Sequence, residues 1–298
     1  MNNRISSKQS FLNSIYFSTK HDSYFRVYDN CVEKILSKSL KKVTIVEVGI
    51  LHGGSLFMWR DLFGPEARII GVDLNPEARK WQEHGFEIYI GNQSSPIFWK
   101  EFYDEVGLID FLIDDGGHTN RQQIVTTVHA LVNMNPGGII LIEDTNTSFS
   151  KSFGNPSRFS FINFSKNYVD ALYDYDGASN RMNSSKRKLE SITFFDSIVV
   201  FETESEEQPK STSIDNKGIR DSASDFRYDD LGYFSAMIKL VTQWSARRAQ
   251  GVIANNLARR IEKTSLEALY EFSNFIFHFH VRTRMKLENL RLRIYWRK

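Results

Sequence analysis

The chain has 298 residues, a length that fits one large domain with additions or two domains. Its hydrophobic content of 41% and charged content of 25% are ordinary for a globular protein, so a sizeable core is available. The single cysteine, Cys31, excludes an internal disulfide, and the sequence shows neither a signal peptide nor an apolar run long enough to span a bilayer. These features predict a cytoplasmic protein.

Charge is unevenly distributed along the chain, although the formal net charge is only +2. Residues 202–230 carry nine acids against four bases, whereas residues 237–298 carry thirteen bases against four acids. Composition and pattern together divide the chain into four segments. They are a helical flank or lid at 1–42, an α/β domain at 43–203, an acidic linker at 204–230 and a basic helical extension at 231–298.

The N-terminal flank contains a predicted helix with one apolar face, because large apolar residues recur there at spacings of three and four. These residues are Tyr24, Phe25, Tyr28, Cys31, Val32 and Ile35. Lys20, His21 and Ser23 lie just before this face, and we interpret them as part of a helix start with solvated charges. The apolar face indicates a lid or flanking element that packs on the α/β domain.

The first strand of the α/β domain leads into a turn that contains glycine. A buried strand at 43–49 and a helix at 55–63 are joined through Gly49, Gly53, Gly54 and Ser55. Glycines let the backbone approach a ligand, and the N-terminus of the following helix offers free N–H groups. Asp73 closes the second strand, where a carboxylate can accept hydrogen bonds from a ribose diol. The turn lacks the Gly-x-Gly-x-x-Gly spacing, but strand, helix and acid together predict a nucleoside site.

A third strand at 86–91 ends at Asn92 and Gln93, and a short helix follows at 95–103. The polar pair is compatible with contact to an adenine edge and with a simple turn, and both readings stay open. The helix is amphipathic, and we expect it to direct three apolar side chains inward. They are Ile97, Phe98 and Phe102.

Two apolar runs, each ending in a pair of acids, are separated by about one helix, which is typical of a parallel βαβ unit. The first ends at Asp114 and Asp115 and is followed by His118, and the second ends at Glu143 and Asp144. Ligands collect at the carboxyl ends of such strands, so these side chains should meet at one crevice. Carboxylates suit a divalent cation and an imidazole suits a base, although His118 alone would also fit a helix cap. Asp114 and Asp115 point to opposite faces, so Asp114 is either structural or in contact with a cofactor.

The remaining segments complete the sheet and add the basic extension. A helix at 159–175 and a strand hairpin at 189–201 predict a mixed seven-stranded sheet. The extension at 231–298 has helical periodicity, and three roles for it stay open. We rank packing or homo-oligomerisation first, peripheral contact with the inner face of a membrane second, and a nucleic acid partner, which we do not expect, last.

The motifs resemble those of a known protein family. Glu47-Val-Gly49, Gly53-Gly54-Ser55 and Gly71-Val-Asp73 are similar to the cofactor turn of class I S-adenosylmethionine-dependent methyltransferases. Asp114-Asp115-Gly-Gly-His118, Pro136-Gly-Gly and Glu143-Asp144-Thr145 resemble the metal-dependent sugar O-methyltransferases of macrolide biosynthesis, the mycinamicin type. The related rhamnosyl O-methyltransferase or "cephalosporin hydroxylase" grouping shares this pattern. The resemblance covers about residues 20–202 and does not include the basic extension.

The resemblance implies a Rossmann-like, doubly wound, mostly parallel sheet and an S-adenosylmethionine-dependent, Mg²⁺-assisted O-methyltransferase. The implied substrate is a sugar hydroxyl of a glycosylated natural product or of a surface glycan. The family pattern assigns the metal to Asp115, Glu143 and Asp144 and catalysis to His118, as the base, and to Asp115. Expected cofactor contacts are Glu47, Gly49, Gly53, Gly54, Ser55, Asp73, Asn92, Gln93 and Asp114.

Two other functions stay open. One is O-methylation of a small molecule without a metal, in which His118 acts alone, and activity after chelation would distinguish it. The other is a non-catalytic protein that the basic extension recruits to a membrane surface or a partner. We rank an iron-dependent oxygenase low, because such a site needs two histidines and a carboxylate and only His118 lies among the acids.

Overall fold

The computed structural model describes residues 5–38, 40, 42–153, 157–173 and 189–204, together with 275, 279 and 283. The chain divides into two compact units, Met1–Ser211 and Thr212–Lys298. Nearly all of the predicted acidic linker and basic extension lie outside the described residues, so their roles remain predictions, as do the cytoplasmic location and the homo-oligomer. Within the described residues, no helix combines the length and the apolar character needed to cross a membrane.

The described part of the first unit alternates strands and helices in the predicted order. The strands are β1 (Thr44–Val48), β2 (Arg68–Asp73), β3 (Glu87–Ile90), β4 (Ile109–Asp114), β5 (Met134–Ile142), β6 (Leu189–Phe194) and β7 (Val199–Thr203). The helices are α1 (Ser7–Asn13), α2 (Tyr24–Ser37), α3 (Gly54–Phe63), α4 (Pro96–Val106), α5 (Asn120–Leu131) and α6 (Phe161–Tyr173). Short 3₁₀ helices occupy Pro76–His84, Thr145–Phe149 and Lys151–Phe153.

The strands form one sheet in the order β3-β2-β1-β4-β5-β7-β6. The pairs among β1 to β5 are parallel, and β7 pairs antiparallel with both β5 and β6. The predicted mixed, seven-stranded, Rossmann-like sheet is therefore confirmed. Central parallel strands are covered on both faces, which is why β4 is buried at every position, including Asp110 and Asp114.

The core lies on the two faces of the sheet, because successive strand residues point to opposite sides. Ile45 packs in a cluster with Trp59 of α3, whereas Val46 packs in a second cluster with Trp99 of α4. The predicted apolar face of α2 is confirmed, since all six of its residues are buried. The expectation for α4 is wrong for Ile97, which is 70% exposed. The buried stripe of α4 is Trp99, Phe102, Tyr103 and Val106, and Ile97 falls on the opposite side of the helix.

The carboxyl ends of the central strands are aligned at one edge of the sheet. Val48 of β1 pairs with Asp114 of β4, which in turn pairs with Ile142 of β5. Directly after the strands, the backbone N–H of Asp115 donates to Val48 at 2.9 Å and that of Glu143 donates to Asp114 at 2.9 Å. This register brings the acidic residues of β4 and β5 to the same level as the glycine turn after β1.

Candidate functional site

A cavity of about 430 Å³ opens at this edge of the sheet. Its size lies within the range of pockets that bind small molecules and cofactors. The glycine turn, the ends of β2 to β4 and the segment before α2 form its wall. The predicted site residues that line it are Gly49, Ser55, Asp73, Asn92, Gln93, Asp115 and His118, and Phe17, Ser18 and Thr19 line it from the N-terminal side.

Three glycines of the turn allow other parts of the chain to approach its backbone closely. Gly49 has a φ of +83°, and a Cβ there would lie 2.1 Å from the carbonyl oxygen of Asp115. A Cβ on Gly53 would lie 2.3 Å from the ring of Trp81, and one on Gly54 would lie 2.7 Å from the carbonyl oxygen of Phe17. Gly49 therefore lets the turn contact the end of β4, whereas Gly53 and Gly54 admit an aromatic ring and the N-terminal segment.

Asp73 is held at the cavity wall by backbone donors. Its Oδ2 accepts from the N–H groups of Ile50 at 3.1 Å and Leu51 at 2.9 Å, and its Oδ1 accepts from that of Asn75 at 2.8 Å. A carboxylate offers about four lone-pair positions, so capacity for a ligand hydroxyl remains. The residues present thus fit the ribose of a nucleoside.

Asp114 and Gln93 form a buried pair beneath the loop that follows β4. The Gln93 amide donates to both carboxylate oxygens of Asp114, at 2.9 and 3.1 Å, and its own oxygen accepts from the N–H of Gly117 at 2.9 Å. Burial raises the pKa of Asp114, and the Gln93 hydrogen bond opposes that rise. The Gln93 side chain is therefore engaged in holding the loop, while Asn92 is exposed and its amide oxygen accepts from the backbone of Ser94 at 2.9 Å.

Asp115, His118 and Asp144 come together, and the first two of them line the cavity. His118 Nε2 lies 3.4 Å from Asp144 Oδ2 and 3.9 Å from Asp115 Oδ1. One ligand atom from each residue lies within 4.8 Å of the others, a separation that a single metal ion can bridge. His118 and Asp144 both adopt positive φ, +58° and +51°, and the hydroxyl of Thr147 donates to both of their carbonyl oxygens at 2.8 Å. Strained backbone of this kind concentrates at functional sites.

Lys20 is the functional residue that the sequence interpretation missed. Its side chain is 1% exposed, and its Nζ lies 2.6 Å from Asp115 Oδ2 and 3.1 Å from each oxygen of Glu143. Glu47 Oε1 lies 3.7 Å away. The interpretation of Lys20 as a solvated charge before a helix is therefore wrong, because the segment before α2 extends over the strand ends.

Helix α2 contributes two phenol groups to the same acids. Tyr28 donates to Glu143 Oε1 at 2.7 Å, and Tyr24 donates to Asp144 Oδ1 at 2.5 Å. Burial raises the pKa of both phenols, and the neighbouring carboxylates add to the rise. The face that the sequence marks as apolar thus also supplies hydrogen-bond donors to the predicted metal ligands.

Lys20 faces three carboxylates here, of which Glu47 and Glu143 are buried and Asp115 is partly exposed. Burial raises the pKa of Glu47 to about 7, and Lys20 and the hydroxyl of Ser55, which donates to Oε2 at 2.8 Å, oppose the rise. Burial likewise raises the pKa of Glu143, with Lys20 opposing. Burial disfavours the charge of Lys20, but Glu143, Tyr28, Asp115 and Glu47 together outweigh it and raise the pKa of the amine. Lys20 therefore remains a cation at neutral pH, while the two glutamates ionise less readily than usual.

The donor set fits a hard divalent cation at Asp115 and Asp144, with His118 beside them. Glu143, the third predicted ligand, has both oxygens within hydrogen-bond distance of Lys20. The structure thus brings two of the three predicted carboxylates into one open cluster with the predicted base and ties the third to a buried ammonium.

Comparisons with known proteins find similar sequences and a similar fold. Residues 46–145 match a family model described as a methyltransferase domain. The chain is 31% identical over 144 residues to the 8-demethyl-8-alpha-L-rhamnosyl tetracenomycin-C 2'-O-methyltransferase of Streptomyces olivaceus, covering 45% of this chain and 37% of that protein. It is 31% identical over 150 residues to the demethylmacrocin O-methyltransferase of Streptomyces fradiae, covering 48% and 35%. The matched stretch thus spans well under half the length of these relatives.

A solved structure of MycE, a methyltransferase from the mycinamycin biosynthetic pathway in complex with Mg and SAH, superimposes with a TM-score of 0.54. The sequence identity is 23%, and the match covers 66% of this chain and 54% of MycE. At this identity the likeness shows the fold alone.

Proposed function

We propose that this chain, whose residues 46–145 form a methyltransferase domain, transfers a methyl group from S-adenosylmethionine to a sugar hydroxyl. The proposed acceptor is a glycosylated natural product or a surface glycan, and the proposed metal is Mg²⁺. One observation carries the proposal. Asp115 and His118 belong both to the wall of the cofactor-sized cavity and to the cluster that can hold a cation. The methyl donor and the acceptor hydroxyl would therefore lie next to each other at these two residues.

The cavity wall supports a binding mode for the methyl donor. We assign the amino-acid part of the cofactor to the turn from Glu47 to Ser55, the ribose to Asp73 and the adenine side to Asn92. This arrangement would direct the sulfonium group towards Asp115 and His118. Holding the methyl carbon in line with the acceptor oxygen supplies a large part of the acceleration in a transfer reaction of this kind.

The acceptor needs activation, because a sugar hydroxyl is almost fully protonated at neutral pH and is a poor nucleophile. When bound, a divalent cation would stabilise the alkoxide that develops on the hydroxyl it contacts. Asp115 and Asp144 would hold that ion. His118 would accept the hydroxyl proton at Nε2, a role suited to an imidazole ring nitrogen within reach of the acceptor.

Metal-independent O-methylation is the second candidate, and the position of Lys20 favours it. A buried ammonium between Asp115 and Glu143 already balances part of the negative charge for which a metal would otherwise be required. In that case His118 would act as the base without a metal. The third alternative, recruitment by the basic extension, concerns residues that lie almost entirely outside the described part of the chain.

The test is methylation of a panel of glycosides by the full-length chain, followed by mass spectrometry of the product. We expect methylation to require S-adenosylmethionine, to disappear after chelation and to return with Mg²⁺. Asp144→Asn should abolish turnover while cofactor binding persists, and Asp104→Asn, at an exposed acid on α4, is the matched control. Full activity after chelation would support the second candidate, and no methylation of any glycoside would refute the sugar acceptor.

A further inference from the structure

We propose that Lys20 is a built-in cation that competes with a divalent ion for the acidic site and so weakens the binding of that ion. The inference rests on the cation in the proposed function and assigns to this chain a residue that sets its metal affinity. It follows from three features of Lys20, namely its contacts, its charge and the way its segment is anchored.

The Lys20 ammonium contacts Asp115 and Glu143, two of the three carboxylates that are predicted to bind the divalent ion. Lys20 Nζ lies 2.6 Å from Asp115 Oδ2 and 3.1 Å from both oxygens of Glu143. The side chains of Lys20 and Glu143 are each 1% exposed. A buried charge is stable only when it is paired, so the lysine and the acids hold one another in place.

Asp115 is shared between the ammonium and the open cluster. Its Oδ2 contacts Lys20, whereas its Oδ1 lies 3.9 Å from His118 Nε2, which lies 3.4 Å from Asp144. An ion bound to Asp115 and Asp144 would therefore lie next to a permanent positive charge across a single carboxylate. Repulsion between such neighbouring charges is stronger in a partly buried site than in bulk water. In addition, Glu143 can bind the ion only if its contacts with Lys20 are broken.

The segment that carries Lys20 is anchored on both sides, so the ammonium does not move independently of the fold. On one side, the carbonyl of Phe17 packs against Gly54 of α3. On the other, α2 begins at Tyr24 and its Tyr28 donates to Glu143 at 2.7 Å. The Lys20 ammonium also lies 5.7 Å from the centre of the Tyr28 ring.

The experiment measures Mn²⁺ binding to the full-length chain without cofactor or acceptor, by electron paramagnetic resonance of the free ion and by calorimetry. Lys20→Met should bind Mn²⁺ about tenfold more tightly or better, because the competing charge is removed and Glu143 is released. Lys20→Gln should do the same, and it keeps a polar group for the acids if the methionine variant does not fold. Lys20→Arg should retain weak binding. Lys8→Met is the matched control, since Lys8 is half exposed and pairs with Asp22 at 3.1 Å.

Glu143→Gln provides the second arm of the test. In the wild-type background it should change Mn²⁺ affinity little, because both oxygens of Glu143 are already paired with Lys20 and do not bind the ion. In the Lys20→Met background it should cancel most of the gain. Equal or weaker Mn²⁺ binding by both neutral Lys20 variants overturns the inference and leaves the proposed function intact. Failure of every variant and of the wild type to bind Mn²⁺ would overturn both the inference and the metal in the proposed function.

Discussion

Glu47 should make the protein less stable as the pH rises from about 4.5 to about 7. Its side chain is fully buried, and burial raises its pKa from 4.5 to about 7 although Lys20 opposes the rise. In this interval the native state keeps a proton that the unfolded chain releases. The stabilisation is therefore complete below the unfolded-state pKa and is lost as the pH rises through the native-state pKa. The difference between the two pKa values corresponds to about 3 kcal/mol.

Urea unfolding of the wild type and of Glu47→Gln, without cation or cofactor, measures this effect. Glutamine keeps an acceptor for Ser55 but has no proton to release. The free energy of unfolding of the variant should therefore gain about 3 kcal/mol relative to the wild type between about pH 4.5 and pH 8. Glu66→Gln, at an exposed carboxylate, is the matched control. Parallel pH profiles for the wild type and Glu47→Gln would refute the reasoning.

Three further substitutions test the site. His118→Gln should lower kcat by about 100-fold or more while Mn²⁺ affinity stays within about threefold, and a joint loss of both would make His118 a metal ligand and refute its role as base. Gly49→Ala should cost more than about 2 kcal/mol of stability in thermal unfolding, since its Cβ would lie 2.1 Å from the Asp115 carbonyl at a φ of +83°, and an unchanged melting temperature would contradict this. Asp73→Asn should weaken calorimetric S-adenosylmethionine binding about tenfold or more, because a charge-assisted acceptor is lost, and wild-type affinity would remove Asp73 from the cofactor site.

Local sequence pattern is sufficient to predict the sheet and to place its acidic residues at the carboxyl ends of β4 and β5. Apolar runs such as residues 111–113 of β4 can be recognised, and because parallel strands bury both faces, each run ends where polar residues begin. The pairs Asp114-Asp115 and Glu143-Asp144 mark those ends. Because neighbouring parallel strands end at a common edge, their meeting with the glycine turn could be inferred before any distance was known.

What the sequence alone determined is therefore the architecture and the set of acids at one sheet edge, since both depend on periodicities of a few residues. Only the tertiary structure decided how those acids are paired. Lys20, Tyr24 and Tyr28 reach Asp115, Glu143 and Asp144 from about a hundred residues away, and no local pattern encodes such contacts. A lysine before a helix has the same sequence context whether it is solvated or buried. Its environment depends on where the chain passes over the sheet, and burial then requires that its charge be paired.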